Sequence, residues 1–137
     1  MLIDIHTHVQ QFNKEDIEIL ITNSINNNVK IIIAAGTTIS DSKRSVDLSK
    51  KYNEIYSAVG IHPQNILDEK TDNFIEKLSK LTENKKTIMI SEIGLDFQNT
   101  SPKKNIQEDF FYDQISLAKS KKLPIAFHVR NAENEAI

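Results

Sequence analysis

Short apolar runs alternate with longer polar segments along this chain. Five runs are brief and almost continuously apolar, a pattern typical of strands that are buried on both faces of a parallel sheet. The predicted strands span residues 2–8, 29–35, 55–61, 87–94 and 124–129. The segments between them space their apolar residues three and four apart, which predicts helices that cover the sheet. Their expected starts are after Asn13 with Asp16 in the first turn, at Ser40 or Asp41, near Phe74, and at Pro102 behind a Ser101 cap.

Strands that alternate with helices predict βαβ units and an α/β fold with a parallel sheet. The chain has 137 residues, 39% of them hydrophobic and 26% charged, and its net charge of −2 fits one ordinary globular domain. The absence of cysteine excludes a disulfide framework, a zinc ribbon and a thiol nucleophile. Neither a signal peptide nor a membrane span is evident, so we expect a cytoplasmic protein without a membrane partner.

The residues that carry chemistry gather at the carboxyl ends of the predicted strands. All four histidines lie there, namely His6, His8, His62 and His128. Glu92 and Asp96 lie at the end of the fourth strand, and the three glycines lie at the same ends, where close backbone approach requires the lack of a Cβ. Active sites of parallel α/β barrels occupy that edge. The pattern therefore predicts one polar site.

Asp4-Ile5-His6-Thr7-His8 is the sharpest local signal. Alternation along a strand puts His6 and His8 on the same face, where both imidazoles can reach one metal ion. Alone, the pair is better explained as polar residues hydrogen-bonded to Asp4. Together with Glu92 and His128 on neighbouring strand ends, a histidine and carboxylate metal site becomes the favoured interpretation. Asp4 is then expected to orient a ligand rather than to bind the metal.

The remaining polar residues have two interpretations each. Glu92 lies in an apolar strand and needs a cation, either a metal ion or a side chain such as Arg130 or a lysine. Asp96 is a site residue or a loop cap, and His62 contacts substrate or only begins a rigid loop with Pro63. Arg130 binds an anionic group through its planar guanidinium or neutralises Glu92.

Four motifs in order carry a resemblance to a known family. They are LIDIHTH at 2–8, AVGIHP at 58–63, SEIGLDF at 91–97 and LPIAFHVR at 123–130. The chain resembles the TatD family of metal-dependent deoxyribonucleases, which belong to the amidohydrolase-like TIM barrels. It departs from the family pattern at Ser91, Val129 and Asn131, where glycine, serine and aspartate are usual.

The resemblance implies a (β/α)8 TIM barrel of which this chain supplies about the first five strands and four helices. Residues 1–137 are then the N-terminal part of one domain, because such a barrel needs about 250 residues. Five strands cannot close a barrel, so an exposed apolar edge is expected. The family's remaining ligands, a histidine after the sixth strand and an aspartate that acts as general base after the eighth, have no counterpart here.

The resemblance also assigns roles to residues. His6 and His8 bind one metal, Glu92 bridges two metals as the catalytic carboxylate, and His128 binds the second metal. His62, Asp96 and Arg130 are substrate-binding or supporting residues. The implied cofactors are two divalent ions (Mg²⁺, Mn²⁺ or Zn²⁺), and the implied substrate is DNA, cleaved at phosphodiester bonds from the 3′ end, with no stable protein partner.

Two other functions stay open. The site can hydrolyse another ester or amide, because the barrel supports many reactions. Alternatively, the 137-residue chain is a truncated, non-catalytic fragment that binds metal weakly.

Overall fold

The computed structural model of this chain describes residues 1–69, 73–98 and 102–137. Within them, five strands and four α-helices alternate along the chain as the hydrophobic pattern predicts. The strands are β1 (Leu2–Thr7), β2 (Val29–Ala35), β3 (Ile55–Val59), β4 (Thr87–Asp96) and β5 (Ile125–Arg130). The helices are α1 (Lys14–Asn26), α2 (Ile39–Lys51), α3 (Phe74–Leu81) and α4 (Lys104–Lys121), with short 3₁₀ helices at Val9–Gln11 and Pro63–Asn65.

The strands form one parallel sheet in the order β1-β2-β3-β4-β5. Strand order that follows chain order without reversal is typical of a (β/α) barrel, whereas a doubly wound sheet reverses at a switch point. The sheet is therefore a five-stranded part of a barrel, as expected. Within the described residues, no helix has the length and apolar character needed to cross a bilayer.

Two helix starts differ from the prediction. The helix α2 begins at Ile39 because the Thr38 side chain accepts a hydrogen bond from the Asp41 backbone N–H and caps the helix. The helix α4 begins at Lys104, with Lys103 at the cap position, two residues beyond the predicted Pro102 start. Ser101, the predicted cap, lies outside the described residues. The first helix matches its prediction, since the Asn13 side chain accepts from the Asp16 N–H at 2.9 Å.

The core lies mainly between the sheet and the helices. One cluster joins Ile17 and Ile21 of α1 to Ile32 and Ala34 of β2. A larger cluster joins β3 and β4 to α2, α3 and α4, and includes the fully buried Leu78. Ile33 and Ala35 of β2 face the other side of the sheet, where they pack with Ala58 of β3. This third cluster contains strand residues and no helix residue.

Burial on both faces holds for the central strands but not for the first. Ile32, Ile33 and Ala35 of β2 are nearly inaccessible, whereas Ile5 of β1 is 61% exposed. Among the described residues, the strand β1 has a neighbour only on the β2 side, and β5 only on the β4 side. The expected apolar edge is therefore present.

Candidate metal centre

The structure brings the polar residues of three strand ends together. His6 lies in β1 and His8 directly follows it, Glu92 and Asp96 belong to β4, and His128 belongs to β5. Parallel pairing places all these strand ends at one edge of the sheet. The predicted clustering of these residues thus follows from the sheet topology.

Glu92 lies at the centre of the cluster. Its Oε2 atom is 3.4 Å from His6 Nε2 and 3.7 Å from His8 Nε2. Its Oε1 atom is 3.6 Å from His128 Nδ1. The two carboxylate oxygens thus face different histidines, and the Glu92 side chain is only 18% exposed. A carboxylate in this position can bridge two cations.

Two sets of three groups are suitable for metal binding. His6, His8 and Glu92 form one set, and His62, Glu92 and His128 form the other, each with ligand atoms within 4.8 Å of one another. Imidazole nitrogen and carboxylate oxygen are common ligands of Zn²⁺ and other first-row divalent ions. The donor set of the described residues therefore fits divalent metal ions, with imidazole and carboxylate groups and no thiolate among the candidate ligands.

The His8 ring is oriented by the neighbouring strand. Its Nδ1 atom lies 2.9 Å from the carbonyl oxygen of Ala35, which can only accept a hydrogen bond. The ring proton therefore lies on Nδ1, and the lone pair of Nε2 faces Glu92. Gln10 Nε2 donates to the same carbonyl at 2.8 Å and also to Asp41. A metal-binding histidine commonly has such an acceptor on its second nitrogen.

Asp96 has the equivalent role for His128. Its Oδ2 atom lies 3.1 Å from His128 Nε2, which leaves the Nδ1 lone pair directed towards Glu92. Burial raises the pKa of the Asp96 carboxyl, but hydrogen bonds, among them those from the Gln98 N–H and His128, outweigh it and lower the pKa overall. The residue is only 2% exposed. Its location behind His128 favours the supporting role over direct substrate contact.

His62 presents a different atom to the site. Its Nδ1 atom accepts a hydrogen bond from the Gln64 backbone N–H at 3.1 Å, so the neutral ring carries its proton on Nε2. Burial lowers the pKa of His62, against the opposing attraction of Glu92, which favours the neutral form. The His62 and His128 ring centroids are 4.6 Å apart. In this tautomer His62 is a hydrogen-bond donor through Nε2, so the ligands that the second set offers are Glu92 and His128, although His62 lies within the same distance.

Arg130 does not neutralise Glu92 in this structure. Its Nη1 atom donates to Gln98 Oε1 at 2.8 Å and lies 4.0 Å from Asp96 Oδ2. The Arg130 side chain is 54% exposed. Asp4, which was predicted to orient a histidine ligand, is exposed. Its carboxylate accepts a hydrogen bond from the His6 backbone N–H at 3.3 Å, and this contact does not involve an imidazole nitrogen.

Gly94 explains how β4 and β5 approach closely enough to pair Asp96 with His128. Gly94 has a φ of +144°, and a Cβ there would overlap the His128 carbonyl oxygen. At this position only glycine is compatible with the observed backbone contact. The three glycine positions all share this crowding, as the sequence predicted.

Sequence reasoning missed three buried glutamines around the site. Gln10, Gln107 and Gln114 are each at most 1% exposed and make hydrogen bonds to backbone groups near the strand ends. The available signal was weak: Gln107 and Gln114 are polar residues seven positions apart on an otherwise apolar helix face.

A family model and several relatives match this chain. The model described as TatD related DNase matches residues 3–137. An uncharacterised metal-dependent hydrolase of Buchnera aphidicola is 37% identical over 99% of this chain and 55% of its own length. YabD of Bacillus subtilis, also named an uncharacterised metal-dependent hydrolase, is 32% identical over all of this chain and 54% of its own length.

Two further matches concern a named nuclease and a solved structure. The 3′-5′ ssDNA/RNA exonuclease TatD of Cronobacter turicensis is 30% identical over 76% of this chain and 39% of its own length. The crystal structure of YjjV, a TatD homologue from Escherichia coli, superposes with a TM-score of 0.88 at 29% identity over 98% of this chain and 53% of that chain. The chain thus spans about half the length of the curated relatives it matches. It belongs to the TatD related DNase family.

Proposed function

We propose that this chain carries the metal-binding part of a hydrolase that uses divalent metal to cleave DNA phosphodiester bonds from the 3′ end. The observation that carries the proposal is the position of Glu92 between His6 and His8 on one side and His128 on the other. The name of the Cronobacter relative, an exonuclease for single-stranded DNA and RNA, supports the choice of substrate.

His6, His8 and Glu92 would hold one divalent ion, and Glu92 and His128 a second. Bound divalent ions supply an activated water and positive charge beside the phosphoryl oxygens. Ala35 and Asp96 hold the His8 and His128 rings so that a lone pair of each faces Glu92. The donor set suits Mg²⁺, Mn²⁺ or Zn²⁺ with different preferences.

His62 and Arg130 would bind the substrate. The Nε2–H of neutral His62 can donate to a phosphate oxygen, since its Nδ1 is already occupied by the Gln64 N–H. The exposed guanidinium of Arg130 offers further donors for a phosphate group. Asp96 then belongs with the metal ligands as the group that orients His128.

Residues 1–137 would form the N-terminal part of a single barrel domain. The structural match to YjjV extends over 53% of that chain, which leaves room for three further strands. The general base, an aspartate by family resemblance, would come from that further part.

Glu92→Gln tests the proposal, with Glu83→Gln on an exposed turn as the matched control. Mn²⁺ binding is measured calorimetrically on the chain. Release of nucleotides from a 3′-labelled single-stranded oligonucleotide is measured on the longest product that the source gene encodes. We expect Glu92→Gln and chelation each to lower cleavage by about 100-fold or more, and Glu83→Gln to leave it unchanged. Full cleavage by Glu92→Gln contradicts the proposal.

The same assay distinguishes the two other functions. Hydrolysis of lactones or aryl esters without oligonucleotide cleavage would assign another ester or amide substrate to the same metal site. Absence of turnover on every substrate, with weak Mn²⁺ binding, would identify a non-catalytic fragment.

A further inference from the structure

Two glutamines of α4 are buried where a core helix normally has apolar residues. Gln107 is fully buried and Gln114 is 1% exposed. A separation of seven residues is about two helical turns, so both side chains leave the same face of α4 about 10 Å apart. Burial of a carboxamide is unfavourable unless its donor and acceptor are both satisfied. Both glutamines meet that condition by binding backbone groups.

Gln107 binds the backbone at the end of β4. Its Oε1 atom accepts from the Asp96 N–H at 2.8 Å, and its Nε2 atom donates to the Asp96 carbonyl at 2.9 Å. The second Nε2 hydrogen goes to the Pro102 carbonyl at 2.8 Å. Gln107 therefore fixes both peptide groups of the residue whose carboxylate holds His128.

Gln114 binds the segment after β3 in the same manner. Its Oε1 atom accepts from the Ile61 N–H at 2.7 Å, and its Nε2 atom donates to the Ile61 carbonyl at 3.3 Å. Nε2 also lies 3.1 Å from the Phe110 carbonyl. Ile61 directly precedes His62, so this contact fixes the start of the segment that carries that imidazole.

We propose that Gln107 and Gln114 are positioning residues, and that α4 sets the separation of the His62 and His128 rings. The two rings come from segments that follow different strands, and their centroids are 4.6 Å apart. The helix α4 contacts each segment through one glutamine, which hydrogen-bonds both the N–H and the C=O of a single residue. That residue is Asp96 for the His128 ring and Ile61 for the His62 ring. The proposal rests on the proposed function only for the roles of His62 in substrate binding and His128 in metal binding. The positions of the two rings can be measured without metal or substrate.

The chemistry of the side chain makes this inference testable. A carboxamide offers a donor and an acceptor at one end, whereas methionine has nearly the same length and offers neither contact. Gln107→Met and Gln114→Met therefore remove the hydrogen bonds to the backbone while they preserve the volume of the side chain. Leu117→Ala is the matched control, because Leu117 is buried on the same helix in the apolar core and its loss destabilises the chain without a polar contact.

The experiment is a two-bond ¹H–¹⁵N correlation spectrum of the histidine rings in the metal-free chain. It reports the tautomer and environment of all four imidazoles separately. We expect Gln114→Met to shift the His62 nitrogens and Gln107→Met to shift those of His128, with His6 and His8 unchanged. Leu117→Ala should lower the melting temperature and leave all four rings in place. Mn²⁺ affinity should fall about 10-fold in Gln107→Met and stay within about twofold in Leu117→Ala.

Two results would overturn the inference: ring shifts of equal size in Leu117→Ala, or unchanged His62 and His128 signals in both methionine variants. If a methionine variant does not fold, Gln107→Asn and Gln114→Asn keep both groups on a shorter stem and provide the same measurement. Unchanged ring spectra in the methionine variants of a chain that cleaves oligonucleotides refute only the positioning role. Selective ring shifts in a chain without nuclease activity support the positioning role and refute only the nuclease.

Discussion

The central and edge strands of this sheet differ sharply in burial, yet the candidate metal ligands come from both. In β3, Ile55, Ala58 and Val59 are completely buried, whereas Leu2 and Ile5 of β1 are 59% and 61% exposed. The histidines of the candidate centre belong to the ends of β1 and β5 and to the segment after β3, while Glu92 and Asp96 belong to the buried β4. The central strands supply most of the packing, and they also orient imidazoles of the less covered strands: the Ala35 carbonyl of β2 contacts His8, and the Asp96 carboxylate of β4 contacts His128.

Gly94→Ala should have the largest effect, because it acts at the junction of a central and an edge strand. A Cβ there collides with the His128 carbonyl, so β5 must separate from β4. We expect a loss of more than about 4 kcal/mol in the free energy of unfolding, beyond the usual range for point substitutions. Urea denaturation measures this loss, and a change below about 1 kcal/mol would show that the backbones of β4 and β5 can separate with little loss of stability.

The contrast in burial itself is tested by Ile90→Ala against Ile5→Ala. Ile90 is completely buried in β4, so its truncation should cost about 2–5 kcal/mol through lost burial and a cavity. Ile5 lies exposed on β1, and its truncation should change stability by no more than about 0.5 kcal/mol. Equal losses in the two variants would mean that β1 is covered in solution by another surface.

Asp96→Asn should have the smallest effect on stability and a selective effect on the site. The amide keeps the shape of the side chain but holds the His128 Nε2–H less strongly than the carboxylate does. We expect Mn²⁺ affinity to fall about 10-fold, as for other groups that orient a metal-binding histidine. Isothermal titration measures it, with Asp68→Asn on an exposed turn as control. Unchanged Mn²⁺ affinity would show that the Asp96 carboxylate does not orient His128 for metal binding.

Much of the fold followed from local patterns. The apolar runs predicted all five strands, and their carboxyl ends predicted which histidines and carboxylates would meet. The structure corrected the start of α4 and the start of α2, where Thr38 rather than Ser40 or Asp41 provides the cap. Such differences are small in space, because a cap depends on one side chain and the local backbone.

The partners of single polar groups were harder to predict. The alternative pairing of Arg130 with Glu92 is replaced by contacts to Gln98 and Asp96. Asp96, expected as a substrate-binding or a supporting residue, is buried against His128. The sequence gives the residue types at an edge, but it does not say which of several carboxylates a guanidinium or an imidazole will face.

The alternation of strands and helices, the parallel sheet and the polar edge could be predicted from the sequence, because hydrophobic periodicity and strand direction act over short stretches of chain. Which nitrogen each histidine presents depends on contacts between distant parts of the chain. For His8 and His128 that choice depends on Ala35 and Asp96, which lie 27 and 32 positions away in the chain. The exposure of β1 was also a tertiary result, since burial of a strand depends on what packs against it rather than on its own apolar residues.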